Sequence, residues 1–446
     1  PARARQMTPE RRRDILQISL PIVAGMTSQN LLNLVDAWMV GALGATALAA
    51  VGLASFVNFM AVSLLTGFAP AVQTLAARRV GQGRMGEVAV PLNGGLRLSL
   101  WIGVPLAVLG WWGAEAMMTL LTPDAAVIAE GEGYLQWRLL SVAAVGMNFC
   151  YRGYWSAIKR TQVYMVTLFV MNGLNVPISF GLIHGLWGLP QMGTAGAGLG
   201  TSISVLIGTA FYVIYAYRHA RPHGYLRAVP SADENRALLR LGVPNAVQQL
   251  MFSGGFTVLF WMIARIGTAE LAVSHILITL MLTLILPSVG FGIAAATLAS
   301  QALGRGDVDD AAQAAWDTYR IALWVYLAAG LPMVLAPEWL LGWFLHEPAT
   351  RALGVVPLQL LGLMMAGDGL GIILMQALLG AGASRYVMWV ATGLQWGLFL
   401  PLVGWLGPVS GLGLTVVWLA MAAYRLLQAG FFVVAWRRRH WARIQL

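Results

Sequence analysis

The chain of 446 residues is 58% hydrophobic and only 10% charged, whereas a soluble globular protein carries about 25% charged residues. Its apolar residues come in repeated blocks of about 20, the length that a helix needs to cross a bilayer. The composition therefore excludes a soluble globular fold and predicts an all-α polytopic membrane protein. The single cysteine, Cys150, excludes an intrachain disulfide and a cysteine metal cluster.

Twelve segments are long and apolar enough to span a membrane. They are 15–40, 53–77, 94–116, 133–157, 162–184, 193–217, 238–263, 276–300, 320–341, 356–379, 386–406 and 411–436. With the N-terminus inside, all of the 28 Lys and Arg except Arg138, Arg265 and Arg351 fall in inner loops, inner tails or helices approaching them. This bias follows the positive-inside rule, so we expect both termini in the cytoplasm. The net charge of +10 then reflects topology and contact with anionic lipid, and not nucleic-acid binding.

The first span carries Asp36, within NLLNLVDAWMVGALG. Insertion scales put a mid-membrane carboxylate at about +2.5 to +3.5 kcal/mol, so such a residue usually faces a polar cavity or a partner and marks a functional site. Gln29, Asn33 and Asp36 follow helical spacing and share one face of the span. We therefore expect this face to line a polar site.

The fifth span carries a second polar face, formed by Asn172, Asn175 and Ser179. Convergence with the first span would surround one carboxylate with amide and hydroxyl oxygens. Such a pocket suits Na⁺, whereas a proton needs only the carboxylate. The alternative is that the Asn and Gln side chains only link helices, at about 0.6–2 kcal/mol each.

The chain repeats itself at a shift of 223 residues. Pro21 then meets Pro244 and Trp38 meets Trp261, with no gap from Pro21 to Gly83. Six spans separate matched positions, so we expect two parallel six-helix repeats related by a pseudo-two-fold axis along the membrane normal. The predicted organisation is an N-terminal lobe, a cytoplasmic connector and a C-terminal lobe. Their ranges are 1–217, 218–235 and 236–446.

The tenth and twelfth spans each carry a charge about midway, Asp368 and Arg425. The two spans run in the same direction, so both residues share a depth. Since a buried arginine without a partner is hard to sustain in a membrane, we expect Asp368 to interact with Arg425. A close pair keeps Asp368 ionised and makes it structural or substrate-facing rather than the proton carrier.

Four stretches resemble the MATE (multidrug and toxic compound extrusion) family. The first runs from Pro21 through VDAWMVGALGATALAA, and the matched endings RRVGQGR (78–84) and QALGRGD (301–307) form the second. The others are NVPISFGLIHGLWGLPQMGTAGAGLGT (175–201) and DGLGIILMQALLGAGASR (368–385). They occur in the family's order across nearly the whole chain. The resemblance implies a V-shaped twelve-helix transporter that exchanges cationic or amphipathic compounds for H⁺ or Na⁺.

The resemblance also implies roles for individual residues. Asp36 matches the cation-coupling acid of the family's first helix, Asp368 matches the tenth-helix acid of its NorM-like branch, and Thr201 matches a position near the coupling site. The sequence departs from both branches, since PNAVQQLMFSGG (244–255) lacks the NorM-like Glu and 161–232 contains no acid. The coupling ion therefore stays open, and Asp36 would be a metal ligand only with Na⁺.

We thus expect a monomeric bacterial inner-membrane antiporter that exports small organic cations by alternating access. It would need no cofactor beyond the transported H⁺ or Na⁺. Asp368, Arg425, Gln29 and Gln248 would form the substrate cavity or a charged site of the C-terminal lobe. The runner-up is a flippase for lipid-linked precursors or polysaccharides, and a channel is a further alternative. The sequence contains neither a Walker loop nor clustered histidines, so it does not suggest an enzyme.

Overall fold

The structure is a computed structural model that describes residues 6–409 and 413–446. Within these ranges it contains sixteen α-helices and no strand. The helices of the first half are α1 (Pro9–Gly41), α2 (Ala45–Thr66), α3 (Phe68–Gly81), α4 (Val90–Leu121), α5 (Ala125–Leu139), α6 (Val142–Ala157), α7 (Gln162–His184) and α8 (Thr194–His219). Those of the second half are α9 (Ala232–Ala264), α10 (Thr268–Gly304), α11 (Val308–Leu335), α12 (Pro337–Gly342), α13 (Pro348–Gly380), α14 (Ser384–Thr392), α15 (Leu400–Gly404) and α16 (Leu414–Arg438). The predicted helical membrane fold is confirmed.

Eleven continuous helical stretches of the described chain are long and apolar enough to cross a membrane. The remaining predicted span, 133–157, is covered by two shorter helices, α5 and α6, which meet at a break at residues 140–141. The first two positions of the last predicted span, 411 and 412, lie outside the described residues. The eleventh span is also irregular, because π-helical segments at Gly393–Phe399 and Trp405–Val409 follow α14 and α15.

The helix bounds reproduce the sequence repeat. Shifted by 223 residues, α1 coincides end to end with α9. The same shift carries the start of α2 and the end of α3 onto the two ends of α10. Each pair follows the same sequence pattern, including the matched prolines inside α1 and α9. The duplication seen in the sequence is therefore a duplication of helices.

Two compact units emerge from the packing. The N-terminal unit is Pro21–Ala246, and the C-terminal unit combines Val247–Leu446 with the chain up to Leu20. The lobe boundaries expected from the sequence lie in loops between helices. The boundaries of the compact units instead fall after Leu20 and after Ala246, so α1 and α9 each contribute residues to both units. In the C-terminal unit, Arg11 of α1 forms ion pairs with Asp310 and Asp317 of α11. In the N-terminal unit, Arg79 of α3 lies 3.6 Å from the carboxylate of Glu234 at the start of α9.

The polar segment that follows α8 is attached to the N-terminal unit by side-chain hydrogen bonds. Asn93 of α4 donates to the carbonyls of Gly224 (3.0 Å) and Ala228 (3.1 Å) and accepts from the backbone N–H of Leu226 (3.0 Å). The Tyr154 hydroxyl lies 2.6 Å from Nδ1 of His223. The connector is therefore docked and not a loose linker.

Acidification is expected to loosen this docked connector. Burial and, to a smaller extent, the positive charge of Arg160 lower the pKa of His223. A released segment binds the proton more readily, so docking is strongest above about pH 6.5 and weakens as the pH falls below it. Hydrogen exchange of residues 221–228, corrected for intrinsic rates, should show greater opening at pH 5.5 than at pH 7.5. Equal protection at both pH values, or an unchanged pH response in His223→Gln, would contradict this prediction.

Candidate functional site

A cavity of about 330 Å³ lies inside the N-terminal unit, among α1, α2, α5, α6, α7 and α8. Its volume is at the lower end of the range for small-molecule sites, about 300–1,000 Å³. The described polar residues on its wall are Gln29, Asn33, Asn58, Thr66, Arg138, Asn148, Asn172, Asn175, Thr201 and Ser204. Aromatic rings come from Phe59, Phe149, Tyr164 and Tyr212. This mixture suits an amphipathic organic molecule, since aromatic faces attract organic cations.

The predicted polar face of the fifth span forms one end of the site. On α7, Ser179 donates to the amide oxygen of Asn175 at 2.8 Å, and the Asn175 amide donates to the Thr201 hydroxyl at 3.3 Å. Pro177 lacks an N–H and cannot bond to the carbonyl of Gly173, so the helix is locally irregular beside these groups. The structure thus brings Asn175, Ser179 and Thr201 together.

The polar face of the first span is joined to this cluster. The Asn172 amide on α7 donates to the Ser28 hydroxyl on α1 at 2.7 Å. On α1, the Gln29 amide donates to Asn33 at 3.4 Å, and both residues line the cavity. The predicted convergence of the first and fifth spans on one pocket is therefore observed.

Asp36 lies beside the cavity and not on its wall. Asn33 is on the wall, and Asp36 follows it by three residues on the same helical face. The carboxylate is half-buried and interacts electrostatically with Arg138 of α5. Within the described ranges, the Asp36 carboxylate accepts no hydrogen bond from the amides and hydroxyls of the cavity. Asp36 thus lies next to the cavity rather than deep within it.

Three glycines of the stretch AGAGLGT allow α8 to approach its neighbours backbone to backbone. A Cβ at Gly196 would lie 2.7 Å from the carbonyl of Leu182, one at Gly198 would lie 2.6 Å from the Tyr134 carbonyl, and one at Gly200 would lie 2.7 Å from Cα of Ser179. Small residues at helix contacts are the usual route to close packing in membranes. This motif therefore places Thr201 within reach of α7.

Substitution Gly200→Ala is expected to lower stability by about 1–3 kcal/mol, because the new methyl group forces α7 and α8 apart. The Asn175–Thr201 hydrogen bond should weaken with it. Gly173→Ala is the matched control, since nothing lies within 4 Å of a Cβ at that position of α7. Thermal unfolding of the purified variants measures the difference. A Gly200→Ala midpoint equal to that of Gly173→Ala would show that the contact is not tight.

The C-terminal unit contains a buried ion pair. The Nε atom of Arg425 on α16 donates to Oδ1 of Asp368 on α13 at 2.7 Å, and the two residues are only 4% and 2% exposed. The predicted Asp368–Arg425 interaction is therefore present. The Arg425 guanidinium also lies 6.0 Å from the ring centre of Phe252 and 5.7 Å from that of Tyr424.

Several polar atoms of this region have no hydrogen-bond partner among the described residues. They are Oδ2 of Asp368, the hydroxyl of Tyr326, and the amide oxygens of Gln248 and Gln428. Gln248 is buried, as Asp368 and Arg425 are. These buried groups make the interior of the C-terminal unit polar. Asp368 and Asp317, the buried carboxylates of this unit among the described residues, are each paired with an arginine.

Sequence reasoning missed Arg138. Its position near the end of a predicted span suggested an outer loop residue, whereas the structure places its side chain on the cavity wall. The signal was available in the charge itself, because an arginine inside a predicted span needs an explanation. Of the residues proposed for the site, Asn33, Asn172, Asn175, Thr201 and Gln29 line the cavity.

A duplicated bundle of membrane-length helices with a polar cavity in one unit defines a membrane transport protein. The sequence pattern of the MatE family matches residues 21–180 and 244–405, and the chain therefore belongs to that family. The resemblance to MATE transporters noted in the sequence is confirmed.

Comparison with known proteins supports the assignment along the whole chain. "Probable multidrug resistance protein NorM" of Brucella suis biovar 1 (strain 1330) is 28% identical over 436 residues, which cover 95% of this chain and 92% of that protein. "Multidrug resistance protein NorM" of Burkholderia vietnamiensis is 27% identical, with 95% and 93% coverage. The fold matches an outward-facing multidrug resistance MATE family transporter of the MOP superfamily, with a TM-score of 0.88, 20% identity and coverage of 98% and 97%. It also matches a MOP superfamily transporter from Pyrococcus furiosus, with a TM-score of 0.86, 20% identity and 96% coverage of both chains.

Proposed function

We propose that this protein is a multidrug exporter of the inner membrane of a bacterium, which exchanges cationic or amphipathic compounds for H⁺ by alternating access. The observation that carries the proposal is the pairing of aromatic and amide groups in the N-terminal cavity with the carboxylate of Asp36 at its side. Relatives named as multidrug resistance proteins support the same substrate class.

Asp36, and not Asp368, is the coupling residue in this proposal. Asp368 accepts a hydrogen bond from the buried Arg425 at 2.7 Å, so this carboxylate already has a cation as its partner. Asp36 lies beside a cavity and has no ion pair within 4.0 Å among the described residues, so its carboxylate can exchange its cation.

The chemistry of the site supports H⁺ as the coupling ion in this proposal. A Na⁺ ion prefers several oxygen ligands, while the nearest amides and hydroxyls are already bonded to one another. A proton needs only the carboxylate of Asp36. This favours H⁺, with Na⁺ as the alternative ion, bound by Asp36 together with Asn33, Asn172 or Asn175.

In the proposed cycle, deprotonated Asp36 favours binding of the cationic drug from the cytoplasm, where both termini lie. After the transition to the outward-open state, a proton reaches Asp36 and the drug leaves. Exchange requires the two ligands to weaken each other's binding, and this coupling is reciprocal. The protein works as a monomer and needs no cofactor in this scheme.

The alternative, a flippase for lipid-linked precursors, is less well supported. A pyrophosphate-linked lipid needs several basic side chains in the cavity. Among the described residues on the wall, Arg138 alone is basic, and Arg425 of the C-terminal unit is already paired with Asp368.

Ethidium flux in proteoliposomes tests the proposal. An imposed pH gradient should drive ethidium against its concentration gradient, whereas an imposed Na⁺ gradient at equal pH should drive little. Ethidium flux driven by the Na⁺ gradient alone would mean that the coupling ion is Na⁺ and not H⁺. If neither gradient drives uphill transport, the exporter assignment is wrong.

A further inference from the structure

Side-chain hydrogen bonds hold the backbone in place around Arg138, next to the break between α5 and α6. The carbonyls of Trp137 and Arg138, at the end of α5, accept hydrogen bonds from the hydroxyl of Ser202 on α8, at 2.6 and 3.3 Å. Ser141 donates to the Arg138 carbonyl at 3.1 Å. These hydroxyls satisfy carbonyls that the break between α5 and α6 leaves without helical partners. The break therefore has a fixed geometry, which directs the Arg138 side chain to the cavity wall.

Arg138 is the one formally charged residue among the described residues that line this cavity. Its half-buried side chain forms no guanidinium hydrogen bond or ion pair with a described residue, although a charge within a membrane span normally has a partner. Asp36 attracts it electrostatically without coming within ion-pair distance. A second cation, Arg152 of α6, lies behind the wall, with its guanidinium 4.9 Å from the ring centre of Phe149 and 5.9 Å from that of Tyr164. Since a guanidinium keeps its charge at physiological pH, Asp36 is the group that changes its charge among these three described residues.

We infer that Arg138 is the residue that expels a cationic substrate once Asp36 has been neutralised. With Asp36 ionised, the two charges cancel and the aromatic cavity accepts an organic cation. When a proton neutralises Asp36, the cavity carries the uncompensated positive charge of Arg138, which repels the cation. The negative coupling between proton and drug comes from the charge of Asp36, and Arg138 lowers the drug affinity of the protonated state below that of a neutral cavity. The inference rests on the proposed function and adds the group that makes exchange selective for cations.

Other titratable groups cannot produce this switch. α2 carries none, and the tyrosines that face the cavity, Tyr164 on α7 and Tyr212 on α8, ordinarily titrate near pH 10. α6 presents Asn148 and Phe149 to the cavity, and α5 presents only Arg138. Among the described residues, Arg138 is also the only group with an electrostatic effect on Asp36.

Coulomb's law sets the size of the effect. Two unit charges about 8 to 10 Å apart, at an effective dielectric constant of about 20, change a binding constant by roughly 15- to 30-fold. Loss of the compensating carboxylate should therefore weaken ethidium binding by about this factor. A neutral ligand of the same shape should be unaffected.

A double-mutant cycle on the purified full-length protein tests the inference. Ethidium affinity is measured by fluorescence for wild type, Asp36→Asn, Arg138→Gln and the double variant, at pH 8 and pH 5.5. Asp36→Asn should bind about 15- to 30-fold more weakly than wild type at pH 8, and the double variant should recover most of that loss. Arg138→Gln should bind ethidium about 15- to 30-fold more tightly than wild type at both pH values, and Arg138→Lys, which keeps the charge, should bind as wild type does.

Two results would overturn the inference: a double variant that binds as weakly as Asp36→Asn, or an Arg138→Gln variant that binds ethidium no more tightly than wild type at pH 5.5. If Arg138→Gln does not fold, wild type is compared with ethidium and with phenanthridine, its uncharged ring system. Acidification should then weaken only ethidium binding, and equal weakening of both ligands contradicts the inference. Failure of the proposed function has a different signature, namely gradient-driven flux that survives in Asp36→Asn.

Discussion

Asp36→Asn should reduce pH-driven ethidium flux to the rate of protein-free liposomes. The variant keeps the size of the side chain but removes the only carboxylate beside the cavity of the N-terminal unit, as far as the described residues show. Without a site for the coupling ion, the protein has no ion binding that differs between its conformational states. The ion gradient then cannot drive transport of the drug. Flux down a drug gradient can persist, since the cavity itself remains.

Folding should survive this change. Insertion scales assign a cost of about 2.5–3.5 kcal/mol to an ionised Asp at mid-membrane, so the neutral amide should leave the thermal midpoint unchanged or raise it. Asp36→Glu keeps the charge and should retain part of the flux. Glu115→Gln, which removes an exposed acid of α4 in the same unit, is the matched control and should transport normally. Wild-type flux in Asp36→Asn would refute the assigned role of Asp36.

Arg425→Met should destabilise the protein by about 3–5 kcal/mol, the cost typical of leaving one member of a buried ion pair alone. The carboxylate of Asp368 is 2% exposed and accepts a hydrogen bond from Arg425, while its other oxygen has no partner among the described residues. A lone charge would remain in a low-dielectric interior. The thermal midpoint in detergent should fall by roughly 5 °C or more.

The double variant Asp368→Asn/Arg425→Met separates this explanation from lost packing. It removes the unpaired charge, so it should recover most of the stability, because a buried pair is often replaceable as a unit. Arg320→Gln changes an exposed arginine of α11 in the same unit and should have no effect. A double variant as unstable as Arg425→Met would show that the arginine contributes by packing against Phe252 and Tyr424.

Sequence patterns predicted the helical architecture well because the bilayer imposes it. Span length is set by membrane thickness, and the repeat is visible in matched residues such as Pro21 and Pro244. The pair of Asp368 and Arg425 was also predictable, since two charges at one depth in parallel spans need each other. The thickness of the bilayer determines the first feature, and the cost of an unpaired charge in a membrane determines the second.

Breaks inside spans were not predictable in the same way. At the break at 140–141, the preceding carbonyls accept hydrogen bonds from the hydroxyl of Ser141, which lies in the break, and from that of Ser202, which is distant in sequence. Hydropathy reports the length of a segment but not the continuity of its hydrogen bonds. The position of Arg138 on the cavity wall depends on that local geometry.

Proton release on drug binding tests the central claim most directly. Ethidium is added to the purified protein in weakly buffered, Na⁺-free solution between pH 5.5 and pH 8, and the change in pH is recorded. If Asp36 exchanges a proton for the cationic drug, wild type should release up to one proton per ethidium bound, and Asp36→Asn should release none at saturating ethidium. Equal release from wild type and Asp36→Asn would contradict the account, because the proton would then come from another group.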